Sequence, residues 1–308
     1  MKILITGGLG FIGSHLAERL NNGDNEIVVI DSLLNPAIEK EELEFNGIDV
    51  RIGDLSDLKV AEALIDDDIH TVYHLAANYS VPLSSEEPVF DFKNTFLTTL
   101  NVLDVMRRKG IPKIVFTSSS TVYGKQETFP IKETAELKPV SNYGAAKIAS
   151  EAYIMSFSKL YRIDALILRL ANILGTRSNH GIVPDFVKKL KEDKDELEIL
   201  GDGKQRKSYL HIDDCLDAML FLEGKMKTGY EIYNIGSDQW ISVDQIAKII
   251  CDTLGLEPKY TYTGGELGWA GDVKEFLLDI SKLKSLGWSP KNSTEEAIKS
   301  TTKWCEDL

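Results

Sequence analysis

The sequence predicts an α/β fold in which a doubly wound parallel sheet is combined with a smaller C-terminal α/β domain. In the first half of the chain, short β-branched runs alternate with helical patterns, as a parallel sheet with helices on both faces requires. Beyond about residue 172 the alternation becomes irregular and glycine turns are more frequent. We therefore expect one domain over residues 1–172, with a returning segment near 206–240, and a second domain over 173–308.

The first thirty-one residues contain the most informative pattern. Residues 2–6 form a β-branched run typical of a buried strand, and a glycine cluster leads from it into a helical pattern over 11–21. A second apolar run, 27–30, ends at Asp31. Glycines let the backbone approach a pyrophosphate, and a helix N-terminus offers free N–H groups and a partial positive charge to hold it. This order of elements predicts a dinucleotide site of the Rossmann type; the alternative is a glycine turn that only packs helix against strand.

Asp31 favours one of the two nicotinamide dinucleotides. A carboxylate after the second strand can accept hydrogen bonds from both ribose hydroxyls of the adenosine, whereas it repels a phosphate on that ribose. No Arg or Lys lies between Asp31 and Lys40 to hold such a phosphate. The sequence therefore favours NAD over NADP.

The next elements continue the sheet. Residues 49–52 read as a third strand, and Asp54 after it could contact the adenine amine or, equally well, cap a helix. Residues 71–75 form another buried strand that ends in Ala76 and Ala77. Small residues at the carboxyl end of a strand leave room for a ligand, although close packing alone is the simpler alternative.

Two long helices and two strands complete the first domain. Phe92, Phe96 and Leu100 recur at helical spacing and predict one amphipathic helix over 89–109. The strand 114–117 leads into a serine-rich loop, 118–124. A second long helix is expected over 142–161, followed by a strand over 165–169. In the remainder, helices are expected at 182–194, 213–223, 243–254 and 294–304, and strands at 208–212 and 230–235.

Composition excludes several classes of partner. The net charge of −13 argues against nucleic acid and anionic membrane surfaces. No apolar run is long enough to span a bilayer, and the opening strand leaves no place for a signal peptide. Cys215, Cys251 and Cys305 are few and far apart, which suits a reducing cytoplasm and no disulfide or zinc site. The five His are scattered, so we expect no metal.

Tyr143, Lys147 and Ser119 are the candidate catalytic residues. Tyr143 and Lys147 are four apart on a predicted helix and project from one face. Lowering the pKa of a phenol from about 10 to about 7 needs roughly 4 kcal/mol, which one ammonium about 4 Å away supplies at an effective dielectric of about 20. Tyr143 could then act as a general base near neutral pH. The alternative is that the pair are ordinary surface neighbours.

These motifs resemble the extended short-chain dehydrogenase/reductases, and among them the UDP-glucose 4-epimerase group. The resemblance covers nearly the whole chain, on residues 6–13, 31, 53–55, 74–77, 118–124, 143–147, 168–172 and 209–213. It implies tightly held NAD, a triad of Ser119, Tyr143 and Lys147, and a homodimer joined through the two long helices. The cofactor contacts expected are Gly7, Gly10, Phe11, Ile12, Gly13, Asp31, Asn35, Asp54, Leu55, Leu75, Ala76, Ala77, Asn94, Thr117, Tyr143 and Lys147. The substrate contacts expected are Ser119, Thr121, Tyr143, Asn172, Arg206, Lys207, Tyr209 and Phe276.

The same resemblance separates the reactions of the superfamily. Sugar 4,6-dehydratases carry an Asp-Glu pair directly after the triad Ser or Thr, and related decarboxylases have Glu at the second of these positions. This chain has Ser120 and Thr121 there. The expected reaction is therefore 4-epimerisation of a nucleotide sugar, with UDP-glucose and UDP-galactose as the first choice. The alternatives are an epimerase of UDP-glucuronate or of an N-acetylhexosamine, a net dehydrogenase or reductase, and a non-catalytic NAD-sensing protein.

Three departures concern the substrate. Lys207 stands where the family usually has Arg, and Leu267 and Trp269 lie where it usually offers an Arg to the diphosphate. Arg206, Lys207 or Arg177 are the candidates to replace that arginine, with a single lysine charge being less demanding in geometry than an arginine fork. Phe276 fills the position beside C2 of the sugar, where a bulky ring disfavours N-acetylated sugars. Ordinary core packing is an equally good interpretation of Phe276.

Overall fold

A computed structural model describes residues 1–266, 268 and 273–308. Its strands are β1 (Lys2–Thr6), β2 (Glu26–Asp31), β3 (Asp49–Ile52), β4 (Thr71–His74), β5 (Lys113–Ser119), β6 (Asp164–Leu170), β7 (Asn172–Leu174), β8 (Glu196–Ile199), β9 (Arg206–Lys207), β10 (Tyr209–His211), β11 (Tyr230–Ile235), β12 (Ile241–Ser242), β13 (Lys259–Tyr262) and β14 (Glu275–Phe276). Seven strands form the main sheet, in the order β11-β6-β5-β4-β1-β2-β3. The pairs β1–β2, β1–β4, β2–β3 and β4–β5 are parallel, which confirms the predicted fold class.

Helices connect these strands. They are α1 (Phe11–Leu20), α2 (Lys40–Phe45), α3 (Leu58–Leu64), α4 (Val81–Glu86), α5 (Pro88–Asp91), α6 (Thr98–Lys109), α7 (Asn142–Tyr161), α8 (Ile182–Glu192), α9 (Ile212–Glu223), α10 (Val243–Leu254), α11 (Ser281–Lys284) and α12 (Thr294–Asp307). Within the residues that the structure describes, no helix combines the length and the apolar character needed to span a bilayer.

The prediction of one continuous α-helix over 89–109 is wrong near its start, where the helix is interrupted. A π-helical turn, Phe92–Leu97, separates α5 from α6. The hydroxyl of Thr98 donates a 3.0 Å hydrogen bond to the carbonyl of Lys93, five residues earlier. Apolar spacing does not reveal such a turn, because it adds one residue without removing the amphipathic pattern. The turn contains one buried polar side chain, Thr95, and follows another, Asp91.

The start of α7 is fixed by its cap and by close packing. The hydroxyl of Ser141 accepts from the N–H of Gly144 at 3.1 Å. A Cβ at Gly144 would lie 2.7 Å from the carbonyl oxygen of Thr121, so glycine is what allows the helix to approach the loop after β5. The first turn of α7, which carries Tyr143, is thereby held beside the loop that follows Ser119.

The chain divides into two compact units. The first comprises Met1–Gly124, Glu136–Arg169 and Met219–Tyr233, and the second comprises Lys125–Ala135, Leu170–Ala218 and Asn234–Leu308. The excursion of Lys125–Ala135 into the second unit was not predicted. The stretch 206–240 was expected to return to the first domain. The part of it that belongs to the first unit is Met219–Tyr233, and β11 is the edge strand of the main sheet. Each unit has its own buried apolar cluster.

Candidate active site

The loop between β1 and α1 has the shape that its glycines predict. Gly7 adopts φ +69°, and a Cβ there would lie 2.9 Å from the backbone nitrogen of Ala76. A Cβ at Gly13 would lie 2.2 Å from the carbonyl oxygen of Gly7. Gly10 is the N-cap of α1 and makes no side-chain cap, so the first N–H groups of the helix keep their role as donors for a ligand. Phe11 and Ile12 are the first two residues of that helix, and both are half-buried.

Asp31 ends β2 beside this loop and is buried. Its Oδ2 accepts from the N–H of Leu9 at 3.0 Å, and its Oδ1 accepts from the N–H of Leu33 at 2.8 Å. Burial raises the pKa of Asp31, and these backbone N–H groups oppose that rise. A second tie, from the N–H of Ala37 to the carbonyl of Leu9 at 2.7 Å, holds the loop that contains half-buried Asn35. A carboxylate held in this way beside a glycine loop fits an adenosine ribose.

The other expected cofactor contacts lie at the ends of β3, β4 and β5 and in the π-helical turn. Asp54 is exposed and accepts from the N–H of Ser56 at 2.8 Å, whereas Asp57 caps α3. The helix-cap interpretation of Asp54 is therefore wrong. Leu55 is buried, and its carbonyl accepts from Nδ2 of Asn101 at 3.0 Å. Leu75, Ala76 and Ala77 follow β4, and the Asn94 side chain donates to the carbonyl of Phe90 at 2.9 Å.

A buried chain of hydrogen bonds joins the ends of β1 and β4. The N–H of Ala76 donates to the hydroxyl of Thr6 at 3.2 Å, and that hydroxyl lies 2.7 Å from Nδ1 of His74. Nε2 of His74 lies 3.0 Å from the hydroxyl of Thr99, which donates to the carbonyl of Thr95 at 2.8 Å. Every group is satisfied when His74 is neutral with its proton on Nε2. Burial lowers the pKa of His74 to about 3, with the charge of Lys147 acting in the same direction.

The three candidate catalytic residues lie in the first unit at the carboxyl end of β5. Lys147 is buried on α7, and its Nζ donates to the carbonyl of Thr117 at 2.8 Å and lies 5.7 Å from the centre of the Tyr143 ring. Thr117 is buried in β5, and Ser119 ends that strand. The Thr121 hydroxyl donates to Oγ of Ser119 at 3.0 Å.

The charges of this site differ from the expectation that the Lys147 ammonium lowers the pKa of Tyr143. Burial raises the pKa of the Tyr143 phenol, and the carboxylate of Asp91 raises it further. Burial also lowers the pKa of Lys147 to about 7, against the opposing influence of Asp91 and Glu151. In the protein alone, the phenol of Tyr143 is therefore neutral near pH 7, whereas Lys147 is divided between its charged and neutral forms. The simple Coulomb argument omitted the desolvation of both partners.

Apart from Thr121, which lies in the first unit, the expected substrate contacts beyond the triad lie in the second unit. Asn172 of β7 is paired in register with Tyr209 of β10, and Tyr209 is packed in the apolar cluster of that unit. Lys207 of β9 is paired with Phe276 of β14, and Phe276 is buried. The Asn172 side chain donates to the carbonyl of Ser208 at 3.3 Å.

Arg206 has a counter-charge within the second unit. Its Nε and Nη2 donate to one carboxylate oxygen of Glu275 at 2.9 and 2.8 Å, and its guanidinium lies 4.1 Å from the centre of the Trp240 ring. Arg177 follows β7 in the left-handed region, with φ +67°. Leu267 and Trp269, the positions at which the diphosphate-binding Arg is replaced, lie outside the described residues.

Four polar residues of the first unit were missed in the sequence. Asp91, Asn101, Glu151 and Arg169 are all buried. A signal existed for two of them: Glu151 is four residues after Lys147, and Arg169 is a charged residue that follows an apolar run, Ala165–Leu168, in a strand. For the ranges 1–266 and 273–308 and for residue 268, no group of three or more His, Cys, Asp or Glu side chains is arranged to hold a metal ion.

Comparison with known proteins gives matches along the whole chain. The family model described as the NAD dependent epimerase/dehydratase family matches residues 3–236. A Methanocaldococcus jannaschii protein with a provisional assignment as UDP-glucose 4-epimerase is 34% identical, over 99% of this chain and 98% of its own. The crystal structure of the Thermotoga maritima UDP-glucose 4-epimerase with UDP-glucose is 32% identical, with a TM-score of 0.90 over 99% of this chain and 98% of its own.

Relatives with other activities match as well. The structure of a UDP-glucuronic acid 4-epimerase variant from Bacillus cereus, with a fluorinated substrate analogue and NAD, is 28% identical, with a TM-score of 0.90 over 100% of this chain and 99% of its own. A dTDP-D-glucose 4,6-dehydratase of Mus musculus is 29% identical, over 98% of this chain and 88% of its own. The similarity therefore extends over several sugars and two reactions.

Proposed function

This chain belongs to the NAD dependent epimerase/dehydratase family, and from that premise we propose that it is a cytoplasmic, NAD-dependent UDP-hexose 4-epimerase that interconverts UDP-glucose and UDP-galactose. The observation that carries the proposal is the face of α7 with Tyr143 and Lys147, anchored through the 2.8 Å hydrogen bond from Lys147 to Thr117, two residues before Ser119. The glycine loop and Asp31 at the same sheet edge fit NAD, since Gly7 and Gly13 leave space where a Cβ would meet backbone.

The residues of the triad have separate roles. Tyr143 removes the proton of the sugar 4-hydroxyl and later returns it, and Ser119 donates a hydrogen bond to the reacting oxygen. Lys147 holds the nicotinamide ribose and keeps a positive charge near the phenol. When bound in its oxidised form, NAD supplies a reversible hydride acceptor and a further positive charge, which favours the ionised phenol. The reaction leaves no net change in oxidation state.

The residues after Ser119 favour epimerisation over dehydration. A dehydratase needs an acid and a base to remove water, and Ser120 and Thr121 can supply neither at neutral pH. Thr121 instead donates to Oγ of Ser119 at 3.0 Å, which orients the Ser119 hydroxyl. This pattern supports the epimerase within a family whose members also include dehydratases.

The test is the conversion of UDP-galactose to UDP-glucose by the purified protein without added reductant, with and without added NAD. UDP-glucuronate and UDP-N-acetylglucosamine are assayed in parallel, and faster epimerisation of either would assign that sugar instead. Tyr143→Phe is the matched control, since it removes only the hydroxyl; we expect at least about a 100-fold loss of kcat with NAD binding retained. No conversion of any of these donors would contradict the proposal, and stoichiometric release of NADH would indicate a dehydrogenase.

We also propose that the enzyme is a homodimer joined through α7 and through α6 with the π-helical turn that precedes it. An aromatic row runs along these elements, defined as Phe92, Phe96, Tyr153, Phe157 and Tyr161. Successive ring centres are 5.6, 5.0, 6.4 and 4.9 Å apart. Phe92 is 49% exposed and Tyr153 is 43% exposed. Tyr161 is exposed as well, whereas Phe96 and Phe157 are half-buried. A row of rings with exposed members along its length is typical of an interface, and a two-fold axis lets one copy cover the same row of the other.

A further inference from the structure

A buried ionic cluster lies one helical turn beyond Lys147. Nε and Nη2 of Arg169 donate to the two carboxylate oxygens of Glu151, at 3.0 and 2.7 Å. The Ser118 hydroxyl donates to Oε1 of Glu151, and Nη1 of Arg169 donates to the hydroxyl of Tyr123 at 3.0 Å. Glu151 is 1% exposed and Arg169 is 3% exposed, so neither can touch a substrate. This cluster is not part of the triad.

The cluster joins the elements that carry the triad. Glu151 follows Lys147 by four residues on α7, so both side chains lie on one face of that helix. Ser118 immediately precedes Ser119 at the end of β5. Tyr123 follows the turn Ser120–Val122, which Ser119 caps. The bidentate pair therefore bonds α7 to β6, and its two hydroxyl partners bond it to both sides of Ser119.

We propose that the Glu151–Arg169 pair, with Ser118 and Tyr123, positions Lys147 and Ser119 for catalysis. These are positioning residues that act through their neighbours, and the inference rests on the proposed epimerase function. A buried ion pair is weak support for stability, because apolar residues of similar volume often replace one without loss. The ion pair is of use here because its hydrogen bonds have fixed directions and hold α7, β6 and the residues on both sides of Ser119 in place.

The charge of Glu151 also raises the pKa of Lys147. The titratable groups that face Lys147 are Asp91 on α5, Tyr143 and Glu151 on α7, and His74 on β4, which is neutral. Asp91 and Glu151 both favour the ammonium form of Lys147. Removing the charge of Glu151 therefore lowers the pKa of Lys147 further, so activity that needs the ammonium is lost at a lower pH than in the wild type.

Three variants test the role. In Glu151→Gln we expect kcat for UDP-galactose to fall on the order of 10- to 100-fold with little change in KM, and the alkaline limb of kcat to move to lower pH. In the double variant Glu151→Leu/Arg169→Met, the thermal midpoint should recover towards the wild type while kcat stays low. Glu295→Gln, the same substitution in the exposed pair with Lys299, is the control and should behave as wild type.

Recovery of wild-type kcat in the double variant, or an unmoved alkaline limb in Glu151→Gln, would overturn the positioning role. If Glu151→Gln does not fold, Ser118→Ala replaces it, since it removes one hydrogen bond without leaving a charge unpaired. Its kcat should fall about 2- to 10-fold, and a wild-type kcat would overturn the inference. If the wild-type protein epimerises no sugar, the proposed function fails. The positioning role is then tested by titration calorimetry of NAD binding to Glu151→Gln and to the wild type. A displaced Lys147 weakens NAD affinity, so an unchanged affinity in the variant refutes the displacement.

Discussion

Gly13→Ala tests the glycine loop most directly, because the added methyl meets backbone. The new Cβ would lie 2.2 Å from the carbonyl oxygen of Gly7 and 2.7 Å from Cα of Gly8, where ordinary contact begins at 3.4 Å. The first of these distances is short by about 1.2 Å, and no side chain can rotate to relieve it. Overpacking of this kind costs about 1–3 kcal/mol. Either the folded state bears that cost, or the loop moves and the dinucleotide site loses its shape.

Two measurements separate these outcomes. If the loop keeps its shape, the thermal midpoint should fall by roughly 2–12 °C. If it moves, the Kd for NAD in titration calorimetry should rise by roughly 5- to 150-fold, the same free energy expressed in binding. Gly110→Ala is the control: its Cβ meets nothing within 4 Å, so it adds only the strain of φ +72° and should leave NAD affinity unchanged. A Gly13→Ala protein with wild-type stability and wild-type NAD affinity would refute the reasoning.

Three further predictions concern other parts of the first unit. Asp31→Asn removes the charge that repels a ribose phosphate, so the ratio of the NADP and NAD dissociation constants should fall by at least about tenfold; an unchanged ratio would contradict the role of Asp31. Lys147→Met should raise the thermal midpoint at pH 7. Burial lowers the pKa of Lys147 to about 7, so the unfolded chain binds the proton of this lysine more tightly than the folded chain does. The gain in thermal midpoint should shrink as the pH rises towards 10, where the unfolded lysine also begins to lose its proton. A gain that grows with pH would oppose that sign. Tyr153→Glu puts a charge in the aromatic row and should give a monomer by light scattering, whereas Phe45→Glu, at a 93% exposed ring outside the row, should not; a Tyr153→Glu dimer would place the interface elsewhere.

The sequence predicted the elements whose signal is local. The run at 49–52 and the helical patterns at 142–161 and 243–254 have the same bounds in the structure as in the prediction. Capping explains part of this agreement, since Ser141 and Ser242 each cap the helix that follows with their hydroxyl. The glycine loop was also predictable, because a strand, a glycine turn and a helix follow one another in sequence and Gly13 meets the backbone of Gly7 within that unit.

Elements that depend on distant partners were not predictable in the same way. β9, β12 and β14 contain two residues each, and each is defined by pairing with a strand far along the chain. The π-helical turn leaves the apolar spacing of its helix almost unchanged, so periodicity could not separate it from an α-helix. Asp91 and Asn101 became visible only in the structure, because their partners, Asn78 and the carbonyl of Leu55, come from the segments that follow β4 and β3.

Two buried groups of the site, His74 and Lys147, change charge in different pH ranges. His74 is neutral in the folded chain, with its pKa lowered to about 3 by burial, so the unfolded chain binds a proton there first as the pH falls below about 6.5. Its contribution to stability is therefore lost only at acidic pH, and it is constant above neutrality. Lys147, with its pKa near 7, changes charge between pH 6 and 8 in the folded chain. A change in activity or NAD affinity over that interval therefore follows the charge of Lys147, because the hydrogen bonds through His74 do not change there.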